Sequence, residues 1–170
     1  MSKDDHAAAP AIATVSLTVT RGVAAGWFAG IPQVVLAQAV GLLVGSRERA
    51  DIAPRFLRQV ARHTGSPLSR PMQWLLGGVF HFEYAAGWGA SYAVAAELLG
   101  AKRVPPALGG GVLGALIYTA AFSRIGAATQ TGAERNPDER RGYEWAVQLT
   151  SAFSYGLTMA YTYRWLRERW

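Results

Sequence analysis

The amino-acid sequence predicts an all-α, polytopic membrane protein whose main domain is a bundle of four transmembrane helices. Four stretches are each long and apolar enough to cross a bilayer, since about 20 helical residues span its hydrocarbon core. In a chain of 170 residues, so much apolar sequence would leave a soluble fold without a polar exterior. The stretches are Gly22–Gly45, Met72–Gly100, Val104–Ile125 and Trp145–Leu166, which places the membrane domain at residues 22–170, after a tail and lead-in at residues 1–21.

The distribution of charge is the second observation behind this prediction. The chain has a formal net charge of +6, and most of its lysines and arginines cluster outside the apolar stretches. Basic side chains beside a leaflet are attracted to anionic lipids, so we expect the lipid bilayer itself to be a partner. Basic residues dispersed among hydrophobic spans do not favour nucleic-acid binding. Because the two sides of the bundle carry similar numbers of basic residues, the orientation in the membrane stays open.

The connection at residues 46–71 predicts a short amphipathic helix in the headgroup region. Asp51 can cap its start, and Pro54 is acceptable in its first turn. The apolar residues Ile52, Phe56, Leu57 and Val60 share one face, and the arginines Arg55, Arg58 and Arg62 share another, where they would contact lipid headgroups. The alternative is a solvated loop whose arginines serve only the topology. The connection at residues 126–143 has no periodicity, so we expect a flexible polar loop there.

Small residues at a spacing of four predict close packing between the transmembrane helices. Such residues let two helix backbones approach, because helix association in lipid depends on van der Waals contact. The first stretch carries Gly22, Gly26 and Gly30 at this spacing, and the third carries Gly110 and Gly114. These faces exceed what a small bundle needs for itself, which favours additional protein partners.

The second stretch contains ionisable residues at membrane depth, which are costly there and normally face a partner, water or the bundle interior. His81 and Glu83 point about 160° apart at 100° per residue, so they cannot line one path in a monomer. The aromatic side that includes His81 also carries Tyr84, at its margin, and Tyr92, whereas Glu97 lies on the side of Glu83. We expect Glu83 to be paired or protonated, and Glu97 to form an interfacial ion pair with Lys102 or Arg103.

His81 has several possible roles. It could relay protons, bind a haem or chlorophyll-type macrocycle as a ligand, or pair with an acid. The structural alternative is a neutral imidazole that forms a hydrogen bond between helices. The sequence does not decide among these roles.

The fourth stretch carries a polar stripe at the 3.5-residue period of left-handed helix packing. A polar stripe of this kind faces other helices or a polar cavity rather than lipid. It therefore forms interhelical hydrogen bonds, or it is one wall of a hydrated path whose other wall is the second stretch. Its members are Glu144, Gln148, Ser151, Tyr155, Thr158 and Thr162.

Several of these positions together resemble the YagU-like family of small bacterial inner-membrane proteins. The second stretch carries His81, Tyr84, Tyr92 and Glu97 in a comparable order, and the fourth is entered through Tyr143-Glu144. The resemblance implies a multi-pass protein of the bacterial inner membrane and no particular activity. The family's fourth span tends to carry a histidine after the Tyr-Glu pair, where this chain has Ala152 or a neighbour, so a two-histidine site is not expected.

These features favour a non-catalytic accessory or scaffolding subunit that packs against a larger membrane assembly, such as an electron-transfer or light-harvesting complex. The alternative is a small conduit for protons or a polar solute that works as an oligomer, based on His81, Glu83 and the fourth-stretch stripe. An enzyme is not expected, because the sequence shows no metal-ligand cluster, nucleophile–base pair or phosphate-binding loop. It contains no cysteine, which excludes a disulfide framework and a Cys-ligated metal.

Overall fold

The computed structural model describes residues 5–44, 52–100 and 103–170, with side chains from residue 14 onward. Within these ranges the chain is all-α and contains no strand, which confirms the predicted fold class at the level of secondary structure. The elements are α1 (Asp5–Leu43), α2 (Ile52–His63), α3 (Arg70–Leu98), α4 (Pro106–Phe122), the short α5 (Ala127–Gln130), a 3-10 turn (Pro137–Glu139) and α6 (Gly142–Arg169).

Two helical segments, rather than the four predicted, are long enough and contain an apolar enough stretch to qualify as membrane spans by length and composition. They are Thr14–Leu43 and Pro106–Gln130. The helices α3 and α6 are longer than most spans, but their charged, amide and tyrosine side chains lower the mean hydropathy. The two segments suggest an association with a membrane by their length and composition alone. The core helix of a soluble protein can meet the same two criteria.

The long helices pack as neighbours in the order α3, α1, α6, α4. Gly22 of α1 lies against Gly89 of α3, and Gly110 of α4 lies against Gly156 of α6. Each adjacent pair is antiparallel. One end of the bundle, here called the α2 end, therefore gathers α2, α5, the 3-10 turn and the start of α6. The opposite end gathers the end of α3, the start of α4 and the end of α6.

Glycine and alanine allow the backbones of these helices to come close. A Cβ atom on Gly22 would lie 2.6 Å from the carbonyl oxygen of Gly89, and one on Gly110 would lie 2.7 Å from that of Gly156. Gly26 is equally restricted by the backbone of α3. Gly30 and Gly114 are in somewhat looser contact, at 3.3 Å and 3.0 Å from their nearest neighbours. The glycine rows thus lie at the α1–α3 and α4–α6 interfaces.

The connection between α4 and α6 differs from the flexible polar loop predicted for residues 126–143. It contains α5 and the 3-10 turn, and it buries the side chains of Glu134 and Arg140. Phe122, Ala128 and Ala133 form a small apolar cluster beneath it, against which α2 packs. This segment has no hydrophobic periodicity because its order depends on ion pairs and on a compact turn rather than on an amphipathic helix.

Candidate functional site

The polar stripe of α6 lies inside the bundle. Glu144, Gln148, Ser151 and Tyr155 are all buried, with Glu144 1% and Gln148 2% exposed. Thr158 and Thr162 are half-buried. A helix with its polar side chains inside requires partners for them, because an unsatisfied polar group in a dry interior costs about 1–3 kcal/mol.

Hydrogen bonds from this stripe connect α6 to α1 and α3 near the middle of the bundle. The Gln33 amide donates to the Ser151 hydroxyl over 2.9 Å. The Tyr155 hydroxyl donates to the backbone carbonyl of Ala85 over 2.5 Å. The carbonyl that accepts this bond lies in the same region where Gly26 packs against α3. The stripe therefore sets the register of three helices.

Replacing Tyr155 with phenylalanine tests this part of the network. The variant keeps the ring and loses only the hydroxyl, so we expect the free energy of unfolding to fall by about 0.5–1.5 kcal/mol, the usual net value of one hydrogen bond. Detergent-micelle unfolding followed by tryptophan fluorescence measures the change. Tyr161→Phe is the matched control, since Tyr161 is exposed on the same helix. Equal effects of the two substitutions would contradict the proposed role of Tyr155.

At the α2 end, Glu134 is the centre of a buried ion-pair network. Its side chain is only 2% exposed. One carboxylate oxygen forms an ion pair with Arg55 of α2, and the other accepts a hydrogen bond of 2.9 Å from the Gln148 amide. The interaction links α2, the 126–143 connection and α6. Sequence reasoning missed Glu134 because its partners are distant in the chain.

The position of Arg55 corrects the prediction that all three α2 arginines contact lipid headgroups. The Arg55 side chain is 18% exposed and faces Glu134. This orientation is favoured because a buried carboxylate without a cationic partner would destabilise the fold. Arg58 is half-buried, and Arg62 is exposed. The amphipathic helix itself is present, with Phe56 stacked on Phe80 of α3 at a centroid distance of 5.1 Å.

A second arginine fastens the 126–143 connection to the bundle. Arg140 is buried and donates to the carbonyl of Arg135 and to the Thr129 hydroxyl, both over 2.9 Å. Its guanidinium also lies 5.6 Å from the ring centroid of Trp145. Nearby, Glu144 forms an ion pair with Arg135 at 3.6 Å. These contacts close the α2 end of the bundle.

At the opposite end, Glu97 connects α3 to α6. It accepts a hydrogen bond of 2.8 Å from the Tyr163 hydroxyl and forms an ion pair with Arg167. The hydrogen bond between Arg167 and Glu97 raises the pKa of Arg167 above its usual value. The ion pair predicted for Glu97 exists, but its partner is Arg167 rather than Arg103, because α6 ends beside α3. Lys102, the other predicted partner, lies outside the described residues.

The remaining candidates of α3 do not converge. His81 is half-buried, and its Nε2 lies 3.3 Å from the carbonyl oxygen of Gly30, to which it donates when that nitrogen is protonated. Tyr84 contacts the edge of the Trp88 ring, and Tyr92 contacts the edge of the Tyr163 ring. Glu83 lies on the outer surface of the bundle.

The described parts of the chain contain no group of three histidine or acidic residues placed to hold a metal ion. The Nε2 of His81, the atom that would bind the metal of a macrocycle, is directed at α1. Between Tyr155 and Tyr163, α6 presents the fully buried Met159 to the interior. The polar groups therefore form an ion-pair network at each end, and the hydrogen bonds of Ser151 and Tyr155 lie in the closely packed middle.

Comparison with protein-family models, curated protein sequences and solved structures finds no match for this chain. The resemblance to the YagU-like family thus stays a prediction, and any function has to be argued from the geometry.

Proposed function

We propose that the chain is a multi-pass integral membrane protein in which α1, α3, α4 and α6 all span the bilayer, and that it acts as a non-catalytic accessory or scaffolding subunit. The observation that carries the membrane assignment is the number of large apolar side chains on the outside of the bundle, combined with polar side chains inside it. Exposed apolar side chains occur on all four helices: Phe28, Ile31 and Val35 on α1, Leu75 and Val79 on α3, Leu108, Val112 and Leu116 on α4, and Leu149, Leu157 and Tyr161 on α6.

The outer surface differs from that of a water-soluble helical bundle, whose apolar stripes face the core and whose exposed face is polar. On α6 the buried face carries Glu144, Gln148 and Ser151, while Leu149 and Leu157 are exposed. A soluble monomer rarely exposes so much continuous apolar surface. The polar side chains Glu144, Gln148 and Ser151 lower the mean hydropathy of α6 although they are directed at other helices rather than at lipid.

The accessory role is supported by Glu83. It lies next to the midpoint of α3 and is exposed, with no hydrogen bond or ion pair to any described residue. A carboxylate facing lipid at that depth costs at least about 2.5 kcal/mol, so it requires protonation or a polar partner. Gly87, Ser91 and Ala95 follow it at a spacing of four and are also exposed, which allows a second helix to approach closely.

Co-purification from the native membrane tests this role. In gentle detergent, we expect the chain to elute with a larger assembly, joined by a transmembrane helix that donates a hydrogen bond to Glu83. The Glu83→Ala variant should lower recovery of that partner about tenfold, the effect of losing about 1–2 kcal/mol of interhelical hydrogen bonding. Quantitative mass spectrometry of the eluted particle measures the ratio of partner to chain.

The control for this experiment is Val112→Ala, which shortens an exposed side chain on the outer surface of α4. It should leave partner recovery unchanged. A particle that contains only this chain, or equal recovery with Glu83→Ala and the wild type, would contradict the accessory role.

The absence of catalytic activity and a location in the bacterial inner membrane belong to the same proposal. The first is supported by side chains that are paired for structural purposes, such as Glu134 with Arg55 and Glu97 with Arg167. The second rests on the YagU-like resemblance together with the apolar exterior.

A conduit is the second candidate, favoured by the polar groups that recur along α6 from Gln148 to Tyr163. The Met159 side chain is fully buried between these polar groups, which counts against a continuous polar path in the monomer. A conduit would instead run between copies of the chain, lined by Glu83. A proton-flux assay in proteoliposomes distinguishes the two candidates, because only a conduit would lose flux in the Glu83→Gln variant.

A further inference from the structure

A cavity of about 290 Å³ lies at the end of the bundle opposite α2. It is enclosed by the end of α3, the start of α4 and the last turns of α6. Arginine and tyrosine side chains line it together with apolar ones. None of these residues belongs to the Glu134 network or to the Glu83 surface, the exposed face of α3 that carries Glu83, Gly87, Ser91 and Ala95. The lining residues that matter here are Tyr92, Val104, Pro106, Tyr163, Arg164 and Arg167.

The two arginines retain hydrogen-bond donors that no described residue of the chain uses. Arg164 uses its Nε for a 2.9 Å bond to Glu168, which also lines the cavity. Arg167 uses its Nε and one terminal nitrogen for Glu97. Both terminal nitrogens of Arg164 and the remaining one of Arg167 make no hydrogen bond to any described residue. A guanidinium group binds phosphate with such paired donors.

The charge around the cavity is also suited to an anion. Two arginines, Arg164 and Arg167, line it together with one carboxylate, that of Glu168. Glu97 pairs with Arg167 but is not a lining residue. Arg21 of α1 also lies near enough to Glu97 to act on its charge, so that this carboxylate interacts with Arg21 as well as with Arg167. The site therefore remains positive after its internal ion pairs have formed.

The cavity walls add an apolar component. Tyr92, Val104 and Pro106 form one side of it, opposite the arginines of α6. In the membrane position proposed above, this end of the bundle lies at the depth of the lipid headgroups. The geometry points to a binding site for a phosphate group, supplied either by an anionic phospholipid or by free phosphate. If the phosphate group belongs to a lipid, the inference also rests on the membrane location in the proposed function. Binding of free phosphate does not depend on that location.

Native mass spectrometry of the full-length chain in detergent tests the site. Dioleoylphosphatidylglycerol, dioleoylglycerol and inorganic phosphate are the three probes. We expect phosphatidylglycerol to bind and dioleoylglycerol, which has the same chains without phosphate, to bind at least about tenfold more weakly, since hydrogen bonds to charged groups dominate the difference. Competition by millimolar inorganic phosphate would assign the site to free phosphate, and lack of competition would assign it to the lipid.

Two variants test the location of the site. Arg164→Ala removes free donors at an exposed position, and Val104→Trp fills the cavity without a change of charge. Arg164→Ala should weaken phosphatidylglycerol binding about tenfold, the effect of losing one charged hydrogen bond. Val104→Trp should also weaken binding, because the indole would occupy the space of the ligand. Arg169→Ala is the matched control, because Arg169 is on the same helix end but stacks on Trp165 at 4.7 Å and does not line the cavity.

Equal affinity for phosphatidylglycerol and dioleoylglycerol would overturn the proposal. So would equal losses in Arg164→Ala and Arg169→Ala, which would indicate general electrostatic attraction. Neither Arg164→Ala nor Val104→Trp changes a residue of the Glu83 surface. Loss of lipid binding in a chain that still co-purifies with its partner would therefore contradict only the cavity site, and failed co-purification with intact lipid binding would contradict only the accessory role.

Discussion

Replacing Glu134 with alanine is expected to lower the free energy of unfolding by about 3–5 kcal/mol, the usual cost of removing one partner from a buried ion pair. The substitution would leave the largely buried guanidinium of Arg55 without its carboxylate, and the amide of Gln148 without its acceptor. Because α2 and the 126–143 connection are held together by this pair, we also expect the α2 end to become accessible to protease.

The control for Glu134 is Asp138→Ala in the same connection. Asp138 pairs with Arg124, but their side chains are 63% and 70% exposed. An exposed pair contributes at most about 1 kcal/mol, so this variant should unfold almost as the wild type does. Unfolding in mixed detergent–SDS micelles, followed by tryptophan fluorescence, measures both. Equal effects of the two substitutions would mean that the Glu134 network does not stabilise the fold.

Replacing Gly156 with leucine is expected to cost about 3 kcal/mol or more, at the upper end of the range for overpacking. A Cβ atom at this position would overlap the carbonyl oxygen of Gly110 and the backbone of Gly114. Backbone atoms cannot rotate away as a side chain can. The two helices would have to separate, which would also disturb the buried stripe of α6.

Gly111→Leu is the matched control for this substitution. Gly111 is one residue from Gly110 in α4, and a Cβ atom there meets no other atom within 4 Å. It should be neutral or slightly stabilising, because glycine is a poor helix former. The same unfolding measurement applies. A tolerated Gly156→Leu substitution would contradict the close packing of α4 on α6.

Local periodicity predicted much of this structure. The α2 helix follows from the alternation of Ile52 and Phe56 with arginines, and the burial of Gln148 and Ser151 follows from their place in a stripe at helical spacing. The glycines of α1 and α4 could be found in the same way, since small residues at a spacing of four mark a face that a second helix can approach.

The contacts that depend on chain topology could not be predicted. Arg55 and Glu134 are 79 residues apart, and nothing in either local segment specifies the other. Gly89 and Gly156, which complete the two glycine interfaces, became evident only from the pairing of α1 with α3 and of α4 with α6. Helical spacing separated His81 from Glu83, but it could not tell which of the two faces the outside.

Hydropathy alone does not support two of the four proposed spans, α3 and α6. A window average counts a buried Gln148 or Ser151 as if it faced the surroundings. Large apolar side chains are exposed on α3 and α6 as they are on α1 and α4, which is the physical basis for proposing four spans. This exposed surface, rather than the average composition, carries the central claim.

Cysteine-accessibility mapping tests that claim most directly, because the natural chain contains no cysteine. Single substitutions Ser66→Cys and Asn136→Cys mark the α2 end, and Arg103→Cys and Glu168→Cys mark the opposite end. All four positions are exposed. With a membrane-impermeant maleimide on right-side-out and inverted vesicles, four spans predict that the first two positions react from one side and the last two only from the other. Reaction of all four positions from the same side would contradict a four-span bundle.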